Sequence, residues 1–345
     1  MRKIENKTEN KNFLKKIFIK LCRKIGYEII DQNNFYVPTQ DKPLNKNLNV
    51  QGKKSIVLPL GEVKISRKII SLTIIFRSCT NVNMLTQNKE RLFNKNKSEY
   101  TFRSLNSIIS STNNAKKESP NINFDIIVID YNSKKNDLDK IKEMLNKSNV
   151  KNSVISLNID NFKNKIKEIN SKNETVTENQ ISNMSNIHQS LLVAKEKCKD
   201  LIYFVEDDYI HQKGAINEMI FTYERLSSQL NNELILCPSD YPYLYTKAES
   251  TNIFLGYAKH WRVINESLCT FLTSKKIVEK YWDDFISMCQ FEHYPFEQPL
   301  HNIYKLEYCL SPIPSIAIHY TNVNSIFGLS PLIDWKKVWD ENGNY

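Results

Sequence analysis

Five apolar residues, Leu201-Ile202-Tyr203-Phe204-Val205, run directly into three carboxylates, Glu206-Asp207-Asp208. No other stretch limits the possible folds so strongly. A run with β-branched and aromatic members and no polar face reads as a central strand of a parallel sheet covered on both sides. Three adjacent acids repel one another unless they point apart or share a cation. Side chains alternate along an extended chain, so Glu206 and Asp208 fall on one side and Asp207 on the other. Two hard oxygen ligands at the carboxyl edge of a parallel sheet make half a site for Mg2+ or Mn2+, with phosphate oxygens and water supplying the rest. An acidic triplet at an arbitrary position is an ordinary solvated turn; here the apolar run ties it to a sheet edge.

The residues before this strand repeat one pattern. Ile69 to Phe76 is a strand ending at Arg77-Ser78-Cys79, followed by a helix over Ser98 to Ser111 with Tyr100, Leu105, Ile108 and Ile109 as its buried stripe. Phe124 to Asp130 is a second strand with an acid at its carboxyl end, and Asn136 to Asn146 a second helix. Ser153 to Leu157 is a weaker strand, Asn158 to Asn183 a Lys/Asn-rich insert, and Ile187 to Lys197 a third helix leading into Leu201. Strands alternating with helices predict an α/β fold: a mostly parallel sheet with helices on both faces. Ligands of such sheets sit beyond the carboxyl ends of the strands, where Arg77, Asp130 and Glu206-Asp207-Asp208 all fall.

After the acids the spacing predicts a helix over Lys213 to Leu230 and a strand over Glu233 to Cys237. Pro238 to Tyr245 is an aromatic, Pro-broken loop suited to lining a pocket. Two short strands are expected at Trp261 to Asn265 and Leu268 to Thr273, and a helix over Ser274 to Cys289 capped by Ser274. A helix over Pro295 to Tyr304 follows, then a Pro-punctuated extended segment, Ser311 to His319, ending in histidine.

Charge and composition exclude several functions. Residues 1–24 hold nine basic residues and two acids, so +7 of the net +10 lies in one terminal arm; that argues against a broad nucleic-acid surface. Asn12 to Ile30 has Phe13, Leu14, Ile17, Phe18, Leu21 and Ile25 on one helical face and Lys15, Lys16, Lys20, Arg23 and Lys24 largely on the other. Such an amphipathic helix either contacts an anionic membrane surface or packs on the protein's own body or a second subunit. Residues 31–67 read as a polar, Pro-interrupted linker with one short strand at Ser55 to Leu58, so residues 1–67 stand apart from a domain over 68–345. The seven glycines are isolated, which removes the Gly-rich phosphate loops of dinucleotide and P-loop enzymes. The seven cysteines form no Cys-x-x-Cys pair and read as reduced core thiols of a cytoplasmic protein. The N-terminus shows no apolar core of a signal peptide, and no stretch is apolar enough to span a bilayer.

From Ile69 to His319 the order of features resembles the GT-A family of nucleotide-sugar glycosyltransferases. The residues carrying the resemblance are the first strand with Arg77, the second ending in Asp130, Asn183-Met184-Ser185-Asn186 before a helix, and the acidic strand with Glu206-Asp207-Asp208 where the family usually has Asp-x-Asp. The resemblance implies a GT-A-like (Rossmann-like) fold with a nucleotide-binding half, 68–212, and an acceptor half, 213–345. It implies Mn2+ or Mg2+ held by Asp208 and Glu206 with His319 completing the metal or diphosphate site. It further implies a nucleotide-sugar donor held by Arg77, Asp130 and Asp207, with Arg77 on phosphate and Asp130 on base or ribose. The acceptor would be a glycan or a lipid-linked hydroxyl.

A departing diphosphate needs cationic groups to balance its charge, which is why these residue types suit that chemistry. An inverting reaction would need a carboxylate base, for which Glu297, Asp240 and Glu266 are the candidates; the resemblance favours Glu297, whose plainer role is to stabilise a helix N-terminus. Trp261, Tyr241, Tyr243 and Tyr245 either stack on an acceptor sugar or are buried. His188 and His301 read as structural, while His260, beside Trp261 and Arg262, is open. A non-catalytic sugar-nucleotide-binding module of the same fold is an alternative. Nucleotidyl transfer is another, but it would want a Gly-rich loop after the first strand, and Arg77-Ser78-Cys79-Thr80-Asn81 has none.

Overall fold

The computed structural model describes residues 13–27, 55–58, 61–81, 91–169, 173–246, 251–290 and 297–345. Residues 1–12 of the basic arm, 28–30 at the end of the expected amphipathic helix, 31–54 of the expected linker and 291–296, which hold the start of the helix expected from Pro295, lie outside the described residues. The amphipathic segment forms α1 (Phe13–Lys24), and a small hairpin joins β1 (Ser55–Leu58) to β2 (Gly61–Lys64). The repeating units then follow: β3 (Ser71–Ser78), α2 (Lys97–Glu118), β4 (Asn123–Asp130), α3 (Lys135–Asn146), β5 (Lys151–Ser156), α4 (Glu178–Lys197) and β6 (Leu201–Glu206).

β4 and β6 flank β3, and β5 lies outside β4, all in parallel. β3 is buried along its whole length, polar Ser71, Thr73, Arg77 and Ser78 included, as a strand between two helical layers must be. Beyond β6 the chain adds β7 (Tyr209–His211), α5 (Ala215–Leu230), β8 (Ile235–Leu236), β9 (Ile253–Leu255), β10 (His260–Val263) and β11 (Phe271–Ser274). It ends with α6 (Lys275–Lys280), α7 (Trp282–Ser287), α8 (Gln298–Tyr304), β12 (Cys309–Ile313), β13 (Ala317–His319) and α9 (Trp335–Glu341). One nine-stranded sheet results, in the order β5-β4-β3-β6-β11-β8-β12-β10-β9. β11 runs antiparallel to both its neighbours, β8 and β12 are parallel, and β10 and β9 are antiparallel additions.

Helices cover both faces. Leu105 and Ile108 of α2, Ile141 of α3 and Ile216, Met219 and Ile220 of α5 pack with Ile74, Ile126 and Tyr203 on one side. Ile187 and Leu191 of α4, Ile277 of α6, Phe285 of α7 and Ile303 of α8 pack with Ile75, Ile127 and Phe204 on the other. Six of the cysteines are buried and Cys79 is half-buried. At the amino-terminal edge of the sheet, Arg67 ties Asp200, at the entry to β6, to Glu233, at the entry to β8.

Several elements differ from the sequence expectation for local reasons. α4 begins at Glu178 rather than Ile187 because Thr177 and Gln180 form a capping box, so part of the expected Lys/Asn-rich insert is helix. The same insert buries Phe162, Ile166 and Val176 against the α4 side of the sheet or beside it. Consequently Asn183 and Asn186 lie inside the helix, not before it. The helix expected from Ser274 to Cys289 is two helices broken at Tyr281, whose φ −112° and ψ 32° leave the helical region; Ser274 does cap the first, its Oγ accepting from the Ile277 N–H at 3.3 Å. The Ser311–His319 segment divides into β12 and β13 on either side of the cis Ile313-Pro314 bond. β7 and β9 had no sequence signal, each being only three residues long.

Candidate functional site

The chain steps outward from β3 to β4 to β5 and returns to place β6 on the opposite side of β3. That reversal opens a crevice beyond the carboxyl ends of β3 and β6, the ordinary ligand position of an open α/β sheet. Arg77 pairs in register with Glu206, and Ser78 with Asp130, so the charged strand ends expected from the sequence share one rim.

Arg77 turns inward. One terminal nitrogen lies 2.8 Å from Glu206 Oε1 and the other donates to Asn183 Oδ1 at 3.2 Å, so its fork engages protein groups rather than projecting freely. Glu206 also accepts from the Thr270 hydroxyl at 3.3 Å. Burial raises its pKa, the Asp208 charge adds to the rise, and Arg77 opposes it. Asp130 is buried and accepts from the hydroxyls of Ser78 and Ser133, each at 2.6 Å, so in this arrangement it braces the loop after β4 instead of presenting its carboxylate to a ribose.

The second and third acids diverge as extended geometry requires. Asp207 points to the start of α2, accepting from the Thr101 hydroxyl at 2.9 Å and lying 3.0 Å from the Lys97 ammonium. Burial lowers the Lys97 pKa, but Asp207 and Asp208 more than reverse it and the net shift is upward. Asp208 faces β13. β7 and β13 pair antiparallel with Tyr209 opposite His319, and the Tyr320 N–H donates to the Asp208 carbonyl at 3.0 Å. This pairing sets His319 Nε2 3.2 Å from Asp208 Oδ2, while His319 Nδ1 donates to the Phe327 carbonyl at 2.9 Å. Thr321 donates to the same carboxylate oxygen at 2.5 Å. Tyr209 stacks on the imidazole at 4.8 Å between ring centroids and 13° between planes, and its hydroxyl meets that of Tyr241 at 2.7 Å.

Burial alone would raise the Asp208 pKa, but His319, Thr321 and Lys97 hold it well below the usual carboxylate range. The complement holds for His319: burial lowers its pKa, and the Asp208 charge and hydrogen bond raise it above the ordinary value. Asp208 Oδ1 is buried and has no hydrogen-bond partner among the described residues.

Of the expected bases, Glu297 sits immediately before α8, buried, with no side-chain capping bond. Burial pushes its pKa up to about 7; the Glu206 charge contributes to the rise and Arg77 opposes it, so the three groups share one electrostatic neighbourhood. Asp240 is fully buried, its two oxygens taken by Arg262 and by the Tyr245 hydroxyl, which occupies it as an ion-pair partner. Glu266 is half-buried and its carbonyl accepts from Tyr243.

Trp261 is core: its indole N–H donates to Glu218 at 3.0 Å and the ring is wholly buried. Tyr241 and Tyr243 are also buried, leaving Tyr245 as the exposed aromatic of that loop. His188 is buried beside Phe162 with its pKa pushed down to about 4 by burial, and His301 bonds the Ser267 carbonyl at 2.8 Å, both structural as expected. His260 is exposed at the start of β10. Lys97, Thr101, Thr270 and Thr321 were missed by sequence reasoning. Lys97 and Thr101 share a helical face at i, i+4, and Thr321 shares a side with His319 at i, i+2; those periodicities were the available signals.

Among the described residues no three His, Cys, Asp or Glu side chains gather as a ready ion site. Glu206 is drawn to Arg77, so the expected set of Glu206, Asp208 and His319 is not assembled as three ligands. Asp208 and His319 are nonetheless spaced as neighbouring ligands of a six-coordinate ion would be, since ligand bonds of about 2.1 Å put adjacent donors about 3 Å apart. The unpartnered Asp208 Oδ1 is a further donor there.

No family profile matches the chain, and no curated protein matches it. Solved structures resemble it only weakly. A fragment of S. aureus TarS is 12% identical with a TM-score of 0.33, the match covering 61% of this chain and 48% of that one, so the chain spans about half of that relative. LgtC, as the Q189E mutant, is 12% identical with a TM-score of 0.34, covering 68% and 64% of the two chains. A UDP-glucose pyrophosphorylase complexed with UDP-glucose is 7% identical with a TM-score of 0.37, covering 80% and 98%.

Proposed function

We propose that this chain transfers a glycosyl group from a nucleotide-diphosphate sugar to a hydroxyl of a glycan or lipid-linked acceptor. The observation that carries the reading is the pairing of Asp208 with His319 at the β3/β6 crevice, with a buried carboxylate oxygen left open and Arg77, Lys97 and Glu297 around it. Two cationic groups, Arg77 and Lys97, beside a strand-end crevice suit a diphosphate, whose charge grows as the glycosidic bond breaks. We assign donor binding to residues 68–212 and acceptor binding to residues 213–345, in a cytoplasmic enzyme.

Asp208 and His319 would hold a divalent cation, Mn2+ or Mg2+, which supplies charge neutralisation of the leaving diphosphate. The chain's own residues do the remainder. Lys97, held by Asp207 at the start of α2, lends positive charge to the phosphate side of the crevice. Arg77 fixes Glu206 and can exchange that carboxylate for a phosphate of the donor, a swap its fork geometry permits. Glu297, with a pKa of about 7, is poised to take the proton of an acceptor hydroxyl at its carboxylate oxygen, because it is half ionised near neutral pH. Its neighbourhood with Glu206 and Arg77 favours it over Asp240, which is neutralised by Arg262.

The test is a panel of sugar nucleotides screened by thermal shift with and without Mn2+, followed by turnover with the donor that binds. A Mn2+-dependent rise in melting temperature for one donor, lost in Asp208→Ala, is expected. Binding with no hydrolysis or transfer under any acceptor would favour the non-catalytic module, and no binding by any member would remove the reading.

A further inference from the structure

α1 carries its apolar stripe outward. Ile17, Phe18, Leu21 and Ile25 are 48%, 57%, 60% and 66% exposed, against the ordinary burial of such side chains. Ile17, Leu21 and Ile25 follow one another at i, i+4, with Phe18 beside them, so they form one stripe; Lys20 and Lys24, also exposed, run along its flank at the same spacing. The sequence adds Lys15, Lys16 and Arg23 to the same helix. Gly26, at φ 92°, ends the helix, and the Tyr27 N–H donates to the Cys22 carbonyl at 2.9 Å, closing it in the manner of a Schellman turn. Twelve residues make a helix about 18 Å long, short of the roughly 30 Å of a bilayer's hydrocarbon core, and no described helix is long and apolar enough to cross a membrane.

We propose that α1 is a surface anchor: it lies in the plane of an anionic lipid membrane, with Ile17, Phe18, Leu21 and Ile25 in the acyl boundary and the basic flank among the headgroups. Charge selects this occupant. Two copies of the helix meeting face to face would bring together two arms of +7 each over residues 1–24, whereas an anionic leaflet attracts that charge. The exposure of the stripe shows that it is not packed on the described residues of the chain's own body. The inference does not depend on the proposed enzymatic reaction.

Cosedimentation of the full chain with phosphatidylcholine vesicles, with and without 30% phosphatidylglycerol, tests it. Binding is expected to the anionic vesicles, weakening as salt is raised. Lys20→Gln with Lys24→Gln should lower that affinity about thirty-fold, roughly five-fold for each lysine. Phe18→Asp with Leu21→Asp should abolish it while leaving the melting temperature unchanged, because both side chains are exposed. No binding, equal binding to neutral vesicles, or binding that survives the Phe18/Leu21 pair overturns the proposal. Lipid-free dimerisation abolished by that pair would assign the stripe to a second copy instead.

Discussion

His319 lies 3.2 Å from Asp208 although 111 residues separate them, because β13 pairs with the three-residue strand that follows the acidic triplet. Each group shifts the other: the carboxylate is held ionised, and the imidazole is held toward its protonated form. The pair therefore has a titration that either partner alone would lack.

Asp208→Asn should lower the His319 pKa, because the neutral amide removes the charge that counters burial. Histidine side-chain NMR titration of wild type and variant reads this directly. An unchanged His319 pKa would mean that the carboxylate does not act on the ring.

Glu297 gives a stability prediction of definite sign. Its folded pKa of about 7 lies above its unfolded value of about 4.5, so the folded state retains a proton that the unfolded state has released. Stability from this group is complete below about pH 4.5, falls as pH rises through 7, and is level above, a change on the order of 3 kcal/mol in the limit. Glu297→Gln should flatten that part of the pH profile in urea denaturation. If Glu297 is the acceptor's base, the same variant should lower kcat about 100-fold or more, and wild-type kcat/KM should rise with pH toward a plateau above 7.

Arg77→Met strips Glu206 of its cation at a largely buried position. A loss of about 2 kcal/mol in folding stability is expected, since a half-buried carboxylate is left without its ion pair. Adding Glu206→Gln should recover part of it; a double variant no more stable than Arg77→Met would show that the pair is not coupled.

Thr101→Val should cost about 1 kcal/mol, as the buried hydroxyl's bond to Asp207 is lost with little change in volume. Thermal denaturation measures it, and a neutral result would place Asp207's support in Lys97 and the Cys79 N–H, which donates to it at 3.3 Å.

Arg67→Met serves as the contrast at the opposite edge of the sheet. It leaves Asp200 and Glu233 without their shared cation, so melting temperature should fall, while the affinity of any donor that binds should stay unchanged. A parallel loss of donor binding would mean that the two edges are linked.

Much of this arrangement was legible in local pattern. The apolar runs ending at Arg77, Asp130 and Glu206 announced buried strands, and strand-helix alternation placed their ends on one rim. The capping box at Thr177 and Gln180 was also present in the sequence, but the surrounding Lys and Asn residues obscured it, and α4 begins nine residues earlier than apolar periodicity indicated. Trp261 was open between stacking on a sugar and burial and is a core residue; one strand of four residues does not by itself reveal which face is covered.

Residue type and spacing alone determined that acids, an arginine and a histidine would be present at strand ends, because periodicity is a property of neighbours along the chain. Which of them meet was decided by tertiary structure: Asp208 with His319, Asp207 with Lys97, Glu206 with Arg77, Asp240 with Arg262. Those pairings follow from strand register and helix docking between segments far apart in sequence. Burial then sets each group's charge, and burial exists only once both layers of helices have closed over the sheet.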